Sequence, residues 1–164
     1  MKIRFEDWVF DVDLSATMNY YAQEVPEHCT CGYCRNFYAA VDDRYPNFRS
    51  FLAEFGVHIE APDELCPYEP TIMDGYYAVC GKITQHGRQP MSVDGLSIAA
   101  EAGDLNINSG CPEPIFFLHI GFLELPWVLD EPQEEVVSSA NFPDFIDKIV
   151  YRALGSFSVA DEKQ

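Results

Sequence analysis

Ile115-Phe116-Phe117-Leu118-His119-Ile120-Gly121-Phe122-Leu123 decides how this chain folds. In a strand, successive side chains point to opposite faces, and this run is apolar on both, so it reads as a strand buried on either side at the centre of a sheet. Tyr76 to Thr84 and Leu96 to Ala100 have the same aromatic and branched content and read as its companions, separated from it by Gly and Asn turns. Ahead of them, Ile3 and Phe5, then Trp8, Phe10 and Val12, alternate with polar residues around Glu6-Asp7, the pattern of an edge hairpin or one interrupted strand.

Between the first strands and the later ones the period changes from two to 3.6. Cys34, Phe37, Tyr38 and Val41 form one apolar stripe of a helix, and Phe48, Phe51, Leu52 and Phe55 repeat it. Pro46 is placed to open the second helix and Gly56 to close it with a left-handed residue. An earlier helix runs to about Gln23, capped by Asp13 or Ser15 and ended by Pro26, with Met18, Tyr21 and Ala22 facing inward. From Val57 to Gly75, Pro62, Pro67 and Pro70 predict a connection without long regular elements. Helices first and strands later predict an α+β fold, with N-terminal helices packed on one face of a mostly antiparallel sheet. Residues 1–130 form one such domain, closed by Pro126-Trp127. Residues 131–164 read as an acidic linker and a C-terminal amphipathic segment, Phe142 to Leu154, with a frayed tail.

Composition narrows the function classes. The chain has 164 residues, 48% of them hydrophobic and 14% aromatic, enough apolar area for one substantial core. Its net charge is −17, and no Lys or Arg occurs between Gln89 and Asp147. Such a surface repels nucleic acid, whose binding needs cations to replace phosphate counterions. It serves solubility, or docks a basic protein partner, in the extreme as a DNA mimic. No segment has the apolar length of a signal peptide or a membrane span, so the chain is expected to be cytoplasmic, where cysteines are free thiols, metal ligands or redox groups.

The chemistry concentrates in His28-Cys29-Thr30-Cys31-Gly32-Tyr33-Cys34-Arg35-Asn36, which holds three of the six cysteines just before a helix. Three readings are open. Cys29, Cys31 and Cys34 can supply three thiolates to a zinc ion, with His28, His58, Cys66 or Cys111 as the fourth donor. Cys31 and Cys34 have dithiol spacing at a helix start, beside Arg35, and with Cys29 as a resolving thiol would make a redox enzyme or sensor, although no buried strand precedes them. Or the sulfurs are small apolar groups, with Arg35 and Asn36 bonded to loop backbone. Cys34 and Cys80 suit that reading best.

Phosphate loops, a serine nucleophile elbow and paired metal-binding histidines are missing. His119 reads as a core histidine with one nitrogen satisfied, or as a buried base whose partner the sequence does not name. His58, Glu60, Asp63 and Glu64 make a chance acid/base set of the sort any acidic loop offers. Tyr20-Tyr21 and Tyr76-Tyr77 line a groove, or sit astride an element with one ring buried and one wet.

The run Cys29-Thr30-Cys31-Gly32-Tyr33-Cys34-Arg35-Asn36, with Gly75-Tyr76-Tyr77-Ala78-Val79-Cys80-Gly81-Lys82-Ile83 and Pro126-Trp127-Val128, resembles an uncharacterised family of small bacterial proteins carrying C-x-C-x-Y-C-R-N ahead of a helix. The likeness spans about residues 3 to 130 and brings no activity with it. The expected function is therefore a cytoplasmic, non-enzymatic binding or interaction protein with a cysteine-rich loop, the alternative being thiol-disulfide chemistry at Cys31 and Cys34.

Overall fold

The computed structural model describes residues 1–23, 29–69, 71–103, 105, 107 and 109–133. Its seven strands form one antiparallel sheet: β1 (Lys2–Phe5), β2 (Trp8–Val12), β3 (Glu64–Glu69), β4 (Ile72–Gln85), β5 (Met91–Val93), β6 (Leu96–Ala102) and β7 (Ile115–Glu124). Three helices, α1 (Leu14–Ala22), α2 (Gly32–Arg44) and α3 (Phe48–Glu54), fall between β2 and β3. The fold is α+β, as the order of periods predicts. The spatial order is β1-β2-β4-β7-β6-β5, with β3 also on β4. The expected central run is β7, flanked by β4 and β6, and Phe116, Phe117, Leu118 and Ile120 are all buried within it.

The main core lies between one sheet face and the α2–α3 pair. Phe55 meets Phe10 and Phe116 at 5.2 and 6.5 Å between ring centroids, and Phe48 meets Tyr77 at 6.2 Å. Edge-to-face geometry at these separations suits the quadrupoles of the rings as well as filling volume. Gly56 ends α3 with φ +78°, the left-handed cap its position predicts. Asn47, rather than Pro46, is the residue that precedes the first turn of α3.

α1 departs from expectation in an instructive way. Asp13 is its cap, accepting the Ala16 amide at 3.0 Å. Thr17 and Tyr21 are its buried residues, whereas Met18 is 51% exposed and Ala22 is exposed as well. The reason is in the sheet. One edge of β4 is shared by β3 at its start and β2 at its end, which leaves the backbone groups that Ala78 and Cys80 turn toward that edge without a strand partner there. α1 and Asp63 fill that gap: Thr17 Oγ1 accepts the Cys80 amide at 3.1 Å, the Asp13 amide donates to Cys80 at 2.8 Å, Tyr21 donates to the Ala78 carbonyl at 3.0 Å, and Asp63 accepts the Ala78 amide at 2.8 Å. Buried backbone groups need such partners, so hydrogen bonding as well as apolar periodicity sets the inner face of α1.

A second correction concerns Val57 to Gly75, where β3 forms despite Pro67. An edge strand tolerates proline because its outward amide has no ladder partner, and the register shifts between Pro67 and Glu69. The opening hairpin turns through Glu6, at φ +52°, and β1 is the sheet edge. Gly81 is required on β4: at φ +146° a Cβ there would sit 2.3 Å from the Asp11 carbonyl oxygen. The expected linker from Glu134 onward and the amphipathic segment Phe142 to Leu154 lie outside the described residues. Among the described residues, no helix is long and apolar enough to cross a membrane.

Candidate functional site

The cysteine loop is built onto the first turn of α2. Cys31 is the residue preceding that turn, in extended conformation (φ −62°, ψ 158°), and its side chain makes no cap hydrogen bond. Cys29 is exposed, Cys31 half-buried and Cys34 buried, and their three sulfurs all lie within 4.8 Å of one another. Tetrahedral zinc with Zn–S bonds of about 2.3 Å separates its sulfurs by about 3.8 Å, so this triangle needs little adjustment to close on a metal. Burial pushes the Cys34 thiol well above its ordinary pKa, and the hydrogen-bonded thiols of Cys31 and Cys29 push it further. One turn along, burial and then the same sulfurs push the Tyr38 hydroxyl up to about 12. An uncompensated second thiolate is thus unfavourable, and a cation among the three sulfurs would remove the conflict.

The rest of the motif has a structural task. Asn36 is buried and grips the chain after β7 from both sides: its amide donates to the Pro126 carbonyl at 3.0 Å and its oxygen accepts the Val128 amide at 2.8 Å. Tyr33 packs edge-on against Trp127 at 5.9 Å, and Trp127 donates to the Glu131 carbonyl at 2.8 Å. Arg35 donates to the Thr30 carbonyl at 2.9 Å and forms an ion pair with Glu131. Tyr33, Arg35 and Asn36 therefore fasten the cysteine loop, α2 and the strap from Pro126 to Glu131 together. The two motifs, about ninety residues apart in sequence, are one assembly.

Of the fourth donors considered for zinc, His58, Cys66 and Cys111 do not join this cluster, and His28 lies outside the described residues. The acid/base set near residue 60 is dispersed. Glu60 pairs with Arg49, which holds its carboxyl below the ordinary value. Asp63 is a structural acceptor for Tyr20 at 2.7 Å, Tyr21 at 3.2 Å and the Ala78 amide. Tyr20 and Tyr21 thus sit astride α1 rather than lining a groove. In Tyr76-Tyr77, Tyr77 enters the main core and Tyr76 the opposite sheet face.

That opposite face holds the feature sequence reasoning missed. His119 has both ring nitrogens engaged, Nε2 3.1 Å from Asp74 and Nδ1 3.0 Å from Glu101, and it stacks on Tyr76 with centroids 4.5 Å apart and planes 3° apart. This corrects the expectation of one satisfied nitrogen. Burial alone would lower its pKa, but the bonds to Asp74 and Glu101 more than reverse that and bring it from 6.5 to about 9. Asp74 also accepts the Tyr68 hydroxyl and the Phe122 amide, each at 2.9 Å. A bulge makes this arrangement. Met73 pairs with Leu123 and Gly75 with Ile120, so Gly121 and Phe122 together oppose Asp74, and Phe122 takes φ +54°. With both nitrogens on carboxylates, the cluster is an ionic lock across β3, β4, β6 and β7. Gly121 in the most apolar strand is the one sequence signal of the bulge.

Comparison of the chain with known protein families, curated proteins and solved structures finds no match in any of the three.

Proposed function

We propose that this chain is a non-enzymatic binding protein whose cysteine loop is a structural metal clip, with Cys29, Cys31 and Cys34 holding one zinc ion at the start of α2. The convergence of three sulfurs within 4.8 Å carries the reading. Three thiolates are a soft donor set that suits zinc, and a closed structural site takes a fourth protein donor, for which His28 is the candidate adjacent in sequence. Bound there, the ion joins the loop to the helix that already grips the Pro126–Glu131 strap, so it fixes the shape of this end of the domain. The acidic surface supports a basic protein as partner, and repels nucleic acid and anionic membranes. Free thiols fit a reducing compartment such as the cytoplasm.

The test is the zinc content per chain of protein purified without chelator, compared with a Cys29→Ser, Cys31→Ser, Cys34→Ser variant. It is repeated after loading with cobalt(II), whose thiolate charge-transfer absorption reports sulfur ligation. One zinc per chain and a thiolate–cobalt band, both absent in the variant, are expected. Wild type without metal, and with cobalt bound but no thiolate band, refutes the clip.

One observation favours a second reading: Cys31 directly precedes the first turn of α2, three residues before Cys34, the spacing of a dithiol pair at a helix start. The raised Cys34 thiol opposes it. A metal-free protein whose Cys31 exchanges rapidly with a small disulfide, releasing it again on attack by Cys34, would favour redox chemistry over the clip.

A further inference from the structure

Far from the cysteine loop, the structure assigns Cys80 and Cys111 as a site of reversible oxidation, at which hydrogen peroxide converts the two thiols into a disulfide. Their sulfurs are 2.6 Å apart, and the residues are 2% and 6% exposed. No other pair of described cysteines is both buried and this close.

The surroundings hold the pair in place. Cys80 lies on β4, with its amide bonded to Thr17 and its carbonyl to the Asp13 amide. Its ladder partner is Ile115, and Gly81 donates to the Pro114 carbonyl at 2.6 Å, so the chain enters β7 directly beside it. Cys111 precedes that point in the segment leading into β7. Its amide donates to Ser109 Oγ at 3.2 Å, and Ser109 donates to the Tyr20 hydroxyl on α1 at 3.3 Å. These bonds fold the segment back over the sheet face formed by Tyr76, Ala78, Cys80 and Phe117. Both backbones are anchored independently of the sulfurs, so the sulfurs meet without a search.

Burial selects the oxidant. With the two residues 2% and 6% exposed, attack on either sulfur favours an oxidant close to water in size, such as peroxide, over a peptide-sized disulfide such as oxidised glutathione. Cys80 is among the residues that line an open cleft of about 690 Å3, with Asp13, Lys82 and Pro114, so solvent comes close to the pair although Cys80 itself is 2% exposed. The Cys80 thiolate takes one oxygen from peroxide, breaking the O–O bond and leaving a sulfenic acid and hydroxide, which becomes water on taking up the thiol proton. The Cys111 thiol then displaces the sulfenic oxygen as a second water and forms the S–S bond. Two thiols lose two electrons and two protons, and one peroxide becomes two waters. The product ties the segment before β7 to β4; a dithiol reductant reverses it. This site is independent of the metal clip.

The experiment treats the reduced full-length protein with excess hydrogen peroxide, blocks remaining thiols under denaturing conditions, and maps peptides without reduction. A cross-linked peptide pair containing Cys80 and Cys111 is expected, together two hydrogens lighter than the free peptides and separated by dithiothreitol. Cys111→Ser should abolish it and Cys66→Ser should leave it. Recovery of Cys80 and Cys111 as separately blocked or singly oxidised peptides from treated wild type, whatever happens at Cys29, Cys31 and Cys34, overturns the assignment without dependence on any variant's folding.

Discussion

Replacing His119 with Gln should flatten a pH dependence of stability that the wild type owes to its ionic lock. In the folded protein His119 keeps its proton up to about pH 9, whereas in the unfolded chain it releases it near 6.5. Below 6.5 both states are protonated and the full stabilisation is present. As pH rises from 6.5 to 9 only the folded state still binds the proton, so stability falls at about 1.4 kcal/mol per pH unit, and above 9 the contribution is gone. The whole window is worth about 3 kcal/mol, of which about 2 is lost between pH 6.5 and 8. The assay is urea unfolding of wild type and His119→Gln at intervals from pH 6 to 8, followed by tryptophan fluorescence. Stopping at pH 8 matters because burial also raises the Cys34, Cys66 and Cys111 thiols, which weaken stability by the same linkage in more alkaline solution. Over this range the wild-type midpoint should drop by about 1 M urea relative to the variant. Parallel midpoints for the two proteins, or a folded His119 imidazole that titrates near 6.5 by NMR, would refute the reasoning.

Other outcomes follow from the same geometry. Asn36→Ala leaves the Pro126 carbonyl and the Val128 amide without their partner and should cost about 2–3 kcal/mol in urea unfolding; a cost under about 0.5 would mean the strap is held elsewhere. Gly81→Ala should cost about 3 kcal/mol, because its Cβ meets the Asp11 carbonyl, whereas Gly95→Ala, at φ +83° with open space around it, should cost about 1; equal costs would show that the close approach to β2 is not what requires glycine. Oxidation that links Cys80 to Cys111, across 31 residues of chain, should add up to about 4 kcal/mol of stability over the reduced protein, checked by urea unfolding with and without dithiothreitol.

The clip and the lock differ in how far the sequence exposes them. Cys29, Cys31 and Cys34 are close in sequence and share the start of one helix, so local geometry alone brings their sulfurs near each other. Arg35 and Asn36 were legible as backbone binders, but their partners at Pro126, Val128 and Glu131 were not, since nothing local relates those segments. His119 shows the opposite extreme. Its ligands come from a bulged neighbour strand and from a diagonal position on β6, and strand register is a property of the whole sheet.

What the sequence by itself determined is the set of elements and their class: the two-residue and 3.6-residue periods mark most of the strands and helices, the doubly apolar run marks β7 as central, and short-range spacing assembles the cysteine triangle. Only the tertiary structure decided which face α1 presents, that Pro67 sits in an edge strand, that His119 lies between Asp74 and Glu101, and that Cys80 meets Cys111. The reason is physical. Periodicity reports which side chains avoid water, a local property of each segment, whereas hydrogen-bond partners and charge pairs depend on register, bulges and gaps in the sheet, which exist only once distant segments have packed.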